Sequence, residues 1–126
     1  MTIGTIDALQ SLVPTAEYVL YNAGTSDETL EWRDSSITQP SNSALAAEVT
    51  RLTNAEPMRL LRVERDRRLS LCDWVVTKAT ETGTTVSDSW KTYRQALRDL
   101  PASASPKLDT NGKLDMTSVT FPTEPS

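Results

Sequence analysis

Large apolar residues divide this chain into short periodic stretches separated by turn formers. In TIDALQSLV, Ile6, Leu9 and Leu12/Val13 recur at helical spacing, with Thr5 as the expected N-cap and Pro14 as the stop. Two β-rich runs follow, Tyr18 to Tyr21 and Thr29 to Arg33, around a stretch rich in Asn, Gly, Ser and Asp. This predicts an antiparallel hairpin, with Trp32 covering its buried face. After ITQP, Ser41 or Ser43 is placed to cap a helix carrying Leu45, Val49 and Leu52. Pro57 suits the first turn of a new helix, and a helix running through it would be expected to kink. Beyond it Met58, Leu61, Arg65 and Leu69 share one helical face, and Cys72 follows.

VVTKATETGTTV, rich in Thr and containing Gly83, reads as a linker with a short strand near Trp74 to Val76. SDSWKTYRQALRDLP is the best-defined helix. Ser87 is its N-cap, and Asp88 favours the positive end of the helix dipole. Trp90, Tyr93 and Leu97 recur at i, i+3 and i+7, Leu100 extends the stripe, and Pro101 is the expected end. Lys91, Arg94 and Arg98 lie off the stripe. Past Pro101 large apolar residues become scarce. DTNGK predicts a hairpin tip, LDMTSVTF an edge strand, and FPTEPS an extended end that would fray if nothing held it. The fold class expected is α+β. A small N-terminal helix/β-hairpin part precedes a helical hairpin-like core, made of the Arg-rich helix and the Trp/Tyr helix. An extended C-terminal segment with a short strand closes the chain.

Composition narrows the chemistry. At 126 residues and 37% hydrophobic, the chain can bury only a modest core. A net charge of -4 argues against a general nucleic-acid binder. There is no histidine, which removes the commonest general base and the commonest metal ligand together. The single cysteine excludes an internal disulfide and a thiolate zinc cage. No Gly-rich phosphate loop or metal-ligand spacing is present, so neither a cofactor nor a metal is expected. MTIGTIDALQSLV lacks a basic n-region and carries Asp7, and no apolar run reaches the ~18–20 residues of a membrane span. The chain is expected to be soluble, without a membrane partner, and initially intracellular.

Three clusters remain as candidate sites. RLLRVERDRR holds five arginines against Glu64 and Asp66. Interleaved carboxylates suit a helix face with local ion pairs better than a phosphate grip. Arg65 is the exception, because it shares a face with Leu61 and Leu69 and so needs a carboxylate, with Asp73 and Asp99 as candidates. Cys72, lacking a histidine base, reads as a small buried apolar residue rather than a nucleophile. Trp74, Trp90 and Tyr93 read as one buried aromatic cluster joining two helices. Trp90→Ala is then expected to cost ~3–5 kcal/mol if the indole is fully buried. None of these clusters performs chemistry; together they read as a clamp, and no enzyme is expected.

RDRRLSLCDW, SWKTYRQALRDLP and the terminal FPTEP together resemble the phage tail assembly chaperone-like domain, carried by proteins of tailed phages that include those infecting marine cyanobacteria. Arg65, Asp66, Leu69, Asp73 and Trp74 match its first element. Trp90, Tyr93, Arg94, Gln95, Ala96, Leu97, Arg98, Asp99 and Pro101 match its second, and Pro122 and Pro125 its third. Cys72 stands where the family usually has Thr, and Phe121 where it has Trp; Phe121 keeps an aromatic anchor but loses the indole donor.

The resemblance implies a division into residues 1–55, a variable docking region, and residues 56–126, the chaperone-like domain with its Pro/Ser/Thr-rich tail. It implies a helper that folds or assembles tail, tail-fibre or baseplate proteins in the host cytoplasm, with retention in the virion tail and a homo-oligomer within a symmetric assembly as open alternatives. A permanent structural role, as a tail, fibre, collar or baseplate adaptor, is the alternative to a chaperone. Client binding would use the aromatic stripe and the C-terminal strand, the latter adding to a client sheet edge.

Overall fold

The computed structural model describes residues 3–126, which fall into two compact units divided in sequence between Glu56 and Pro57. In the first, α1 (Thr5–Leu12) starts one residue earlier than its Thr suggests. Gly4 is the cap, and its N–H donates to the Asp7 carboxylate at 2.8 Å. The Thr5 hydroxyl instead donates to Glu28 at 2.6 Å, tying the helix to the hairpin. The hairpin pairs β1 (Tyr18–Tyr21) with β2 (Thr29–Trp32) antiparallel, with Tyr18 opposite Trp32 and Leu20 opposite Leu30. Because alternate residues share a face, Tyr18, Leu30 and Trp32 all reach a core built on Ala8, Leu9 and Leu45. Trp32 stacks on Tyr18, with centroids 6.0 Å apart, and donates its indole N–H to the Ile37 carbonyl at 3.0 Å.

Ser41 caps the next helix, its hydroxyl accepting the Ala44 N–H at 3.1 Å. This helix, α2, runs unbroken from Asn42–Leu71 with Pro57 inside it. The expected new helix at Pro57 therefore does not form. A proline's φ is helical, and it forfeits one hydrogen bond; strong helix formers on both sides keep the ladder going.

The larger correction lies after α2. Cys72 alone separates it from α3 (Asp73–Thr82), where a linker and a short strand were expected. Thr is a poor helix former because its hydroxyl competes with the backbone. Here Thr77, Thr80 and Thr82 return their hydroxyls to the carbonyls of Asp73, Val76 and Lys78, four residues back. Val75 and Ala79, one turn apart, face the core. Gly83 ends the helix at φ 68, a left-handed conformation that costs glycine little, and the Thr84 N–H closes back on the Ala79 carbonyl at 2.9 Å.

Ser87 occupies the N-cap position of α4 (Asp88–Ser103), though its hydroxyl pairs with that of Ser89. The helix passes Pro101 and ends two residues later. In a last turn a proline removes one bond, and the Ala104 N–H still reaches the Leu100 carbonyl at 3.0 Å. Cys72, Val75, Tyr93 and Leu97 form the core of this unit, with Leu69, Val86 and Trp90 packed on it.

The C-terminal segment turns at DTNGK, where the Asp109 carboxylate accepts the N–H groups of Asn111 and Lys113. Gly112 takes φ 76. The short strand amounts to one antiparallel bridge, Leu108 with Leu114, followed by a 3-10 turn at Met116–Ser118. The α+β class holds, with helices supplying the core of the second unit and the extended segment closing it.

Candidate functional site

The site grows from the bend between α2 and α3. The last carbonyls of α2 have no partner within their own helix and carry the negative end of its dipole. Arg94, on α4, answers them. Its Nη1 donates to the Leu69 carbonyl at 3.2 Å and to Cys72 Sγ at 2.9 Å, and its Nη2 donates to Asp73 Oδ1 at 3.0 Å. One guanidinium thus caps α2, touches the single linking residue and pairs with the first residue of α3. Burial lowers the Arg94 pKa, but the bonds to Cys72 and Asp73 outweigh it and leave the pKa above its ordinary value.

Arg65 and Asp73, expected as partners, are apart. Arg65 turns to its neighbour Asp66, its Nε at 3.0 Å. At 22% exposure it stays close enough to solvent to need no carboxylate from another element. Asp99 likewise takes no arginine: it accepts from Gln95 Nε2, while Arg98 donates to Gln95 Oε1 at 2.9 Å. Gln95 therefore links the two along α4 itself.

The aromatic cluster forms as a row rather than a buried knot. Trp74 meets Trp90 edge-on at 6.0 Å, and Trp90 meets Tyr93 edge-on at 5.9 Å. Burial falls along the row: Tyr93 is 7% exposed, Trp90 is half-buried, and Trp74 is 54% exposed. The expectation of one buried cluster is corrected at Trp74, which sits on the outer side of α3. Residues that the linker reading overlooked, Lys78 and Val86, line a cleft of about 200 Å³ beside Trp74 and Trp90.

The C-terminal segment meets the last turn of α2. Phe121 lies beneath the Arg68 guanidinium, 4.0 Å from its ring centroid. Glu64 orients that arginine, accepting from Arg68 Nε at 2.9 Å and from Arg67 at 2.9 and 2.7 Å. Pro122 and Pro125 are half-buried, and Val119 is buried. Burial raises the Tyr93 pKa, and the nearby Glu124 carboxylate raises it further.

The bonds from Arg67, helped by Arg68 against partial burial, pull the Glu64 carboxyl down to about 2 from its ordinary 4.5. A carboxyl lowered on folding stabilises fully above its unfolded value and loses that contribution as pH falls through its folded one. Resistance to urea should therefore decline as pH drops from about 4.5 toward 2, and Glu64→Gln should flatten this decline. Asp34, held at about 2 chiefly by the Ser36 hydroxyl, leaves a remnant of the slope. Urea midpoints across that range test this; an unchanged slope in the variant would sink it.

Among the described residues no cluster of His, Cys, Asp or Glu is fit to hold a metal, and no helix is long and apolar enough to cross a membrane. The arrangement can hold helices together and present an apolar edge.

No curated protein and no solved structure matched the chain. A family model described as phage tail assembly chaperone protein matches residues 58–126, a little over half of the sequence, and takes in the α2–α3 bend, α4 and the C-terminal segment. The resemblance of RDRRLSLCDW, SWKTYRQALRDLP and FPTEP falls within that match, and the chain belongs to the phage tail assembly chaperone protein family.

Proposed function

We propose that this protein binds a tail or tail-fibre protein in the host cytoplasm during tail assembly, and that the outer edge of α3 and α4 is the surface that meets the client. The observation that carries this reading is Trp74. An indole 54% exposed, backed by Trp90 and set on a helix tied down by Arg94, holds a large apolar surface in water at a fixed place. Membership of the family supports the assembly role. The single bridge at Leu108 and Leu114 gives little strand to add to a client sheet, so the helical edge is the better supported surface.

The test is capture of the tagged chain from phage-infected cells, paired with calibrated mass spectrometry of gradient-banded virions. A tail or fibre protein bound in the lysate, with the chain missing from particles, is the expected result. A fixed copy number in particles would make it a permanent tail component instead. Failure to capture any tail protein would overturn the reading.

A further inference from the structure

Two clefts flank Val86 on the α3/α4 edge. The first, of about 200 Å³, is lined by Trp74, Val75, Ala79 and Trp90, with Lys78 beside them. The second, of about 230 Å³, is lined by Val76, Lys91, Arg94 and Arg98. Val86 lines both. Each is smaller than the ~300–1,000 Å³ usual for small-molecule sites, so each suits a side chain of a peptide rather than a metabolite.

Arg33, Arg51, Arg65, Arg67, Arg68 and Arg94 each hold a carboxylate at ion-pair distance. Among the described residues Lys78, Lys91 and Arg98 hold none, and Arg98 contacts only the neutral amide of Gln95. Acids are not scarce in a chain with seventeen of them. They are unevenly placed: Met1–Glu56 has two cations against eight acids, whereas Pro57–Ser126 has eleven against nine. Three cations without a carboxylate at ion-pair distance therefore border two clefts, the first part polar through Thr84, Thr85 and Ser87 and the second mainly apolar, on the cationic unit of an acidic protein.

We propose that this double cleft takes an extended client segment in which a large apolar side chain is flanked by carboxylates, a proposal that rests on the client-binding reading above. The apolar side chain covers Trp74, which is 54% exposed, and supplies most of the affinity. The carboxylates meet Lys78, Lys91 and Arg98, which sets register and speeds encounter. The same cations repel a basic segment. A protein segment is favoured over nucleic acid because a continuous phosphate backbone carries charge along its whole length, which a few open cations on a chain of net charge -4 cannot answer, whereas single carboxylates beside an apolar side chain can each meet one of them.

The test is selection from a random peptide library on the full chain, with the enriched peptides measured against Lys78→Glu/Lys91→Glu/Arg98→Glu and against Trp74→Ala. The corresponding triple alanine variant serves as a second, milder probe of the same cations. Enriched peptides should carry Asp or Glu on both sides of Leu, Phe or Trp. They should lose about tenfold or more in affinity with either the charge-reversed or the Trp74 variant, and weaken as salt rises. Enrichment of basic or uncharged peptides, no enrichment, or undiminished binding to the variants would overturn the proposal. So would competition by a single-stranded oligonucleotide, or self-association of the chain that the triple variant abolishes, which would make the occupant a second copy. Capture of a tail protein that persists in the triple variant would remove this cleft and leave the client-binding reading standing.

Discussion

Replacing Leu97 with alanine should cost the second unit about 3 kcal/mol, within the ~2–5 kcal/mol range of buried leucine truncations. Leu97 is 0% exposed and lies in the cluster of Cys72, Val75 and Tyr93, where α3 and α4 meet. The lost methyl groups forfeit transfer free energy, and the cavity they leave is walled by helices that cannot easily close on it. α3 is only ten residues long and opens after a one-residue bend, so it has little structure of its own to fall back on. The measurement is hydrogen exchange of the α3 and α4 amides, which reads the opening free energy locally. A loss below about 1 kcal/mol would mean that α4 can slide to fill the gap. Trp90, half-buried, does not meet the condition of full burial under which its truncation would cost as much.

Arg94→Ala should be the next most damaging change, at about 2 kcal/mol, in the range of hydrogen bonds made by charged groups. Its three contacts are not equal in weight. Asp73 is 63% exposed on its side chain, so the ion pair alone contributes little. The Leu69 carbonyl and Cys72 Sγ lie on the inner side of the bend, where Arg94 itself is only 15% exposed. Asp73→Ala should therefore cost less than about 1 kcal/mol, while Arg94→Lys should recover less than half of the loss. A lysine offers one point charge where the guanidinium spans three acceptors. Urea denaturation of the three variants separates these cases, and equal costs for Asp73→Ala and Arg94→Ala would show the ion pair to be the anchor after all.

The parts of the fold that could be read from sequence are those where local chemistry and tertiary packing agree. The Trp90–Tyr93–Leu97 stripe, the hairpin around its Asn/Gly turn, and the Ser41 cap all behave as their spacing implies. α3 was hidden because its Thr content signals extended chain, and burial of Val75 and Ala79, a tertiary gain, is what favours a helix there while the Thr hydroxyls fold back on the preceding turn. Pro57 and Pro101 both suggested a helix boundary that does not form: Pro101 sits in a last turn where little more than one hydrogen bond is lost, and Pro57 is carried by helix formers such as Ala55, Glu56, Met58 and Arg59 around it. In the site, the off-stripe position of Arg94 was visible, and so was an acid at Asp73. What joins them is the bend at Cys72, a tertiary feature that no periodicity announces. Arg65 shares a helical face with Leu61 and Leu69 and so calls for a carboxylate from another element, but its partial exposure lets Asp66 suffice.

An indole left half in water does more than invite a partner. Trp74, exposed to water, is expected to emit toward the red end of the tryptophan range, with Trp90 edge-on beside it, whereas Trp32, stacked on Tyr18 and hydrogen-bonded to Ile37, is held away from the same change. Anything that covers α3 must shift or quench that emission. The protein carries its own optical gauge of occupancy, readable without a label, at the place where its surface is least satisfied.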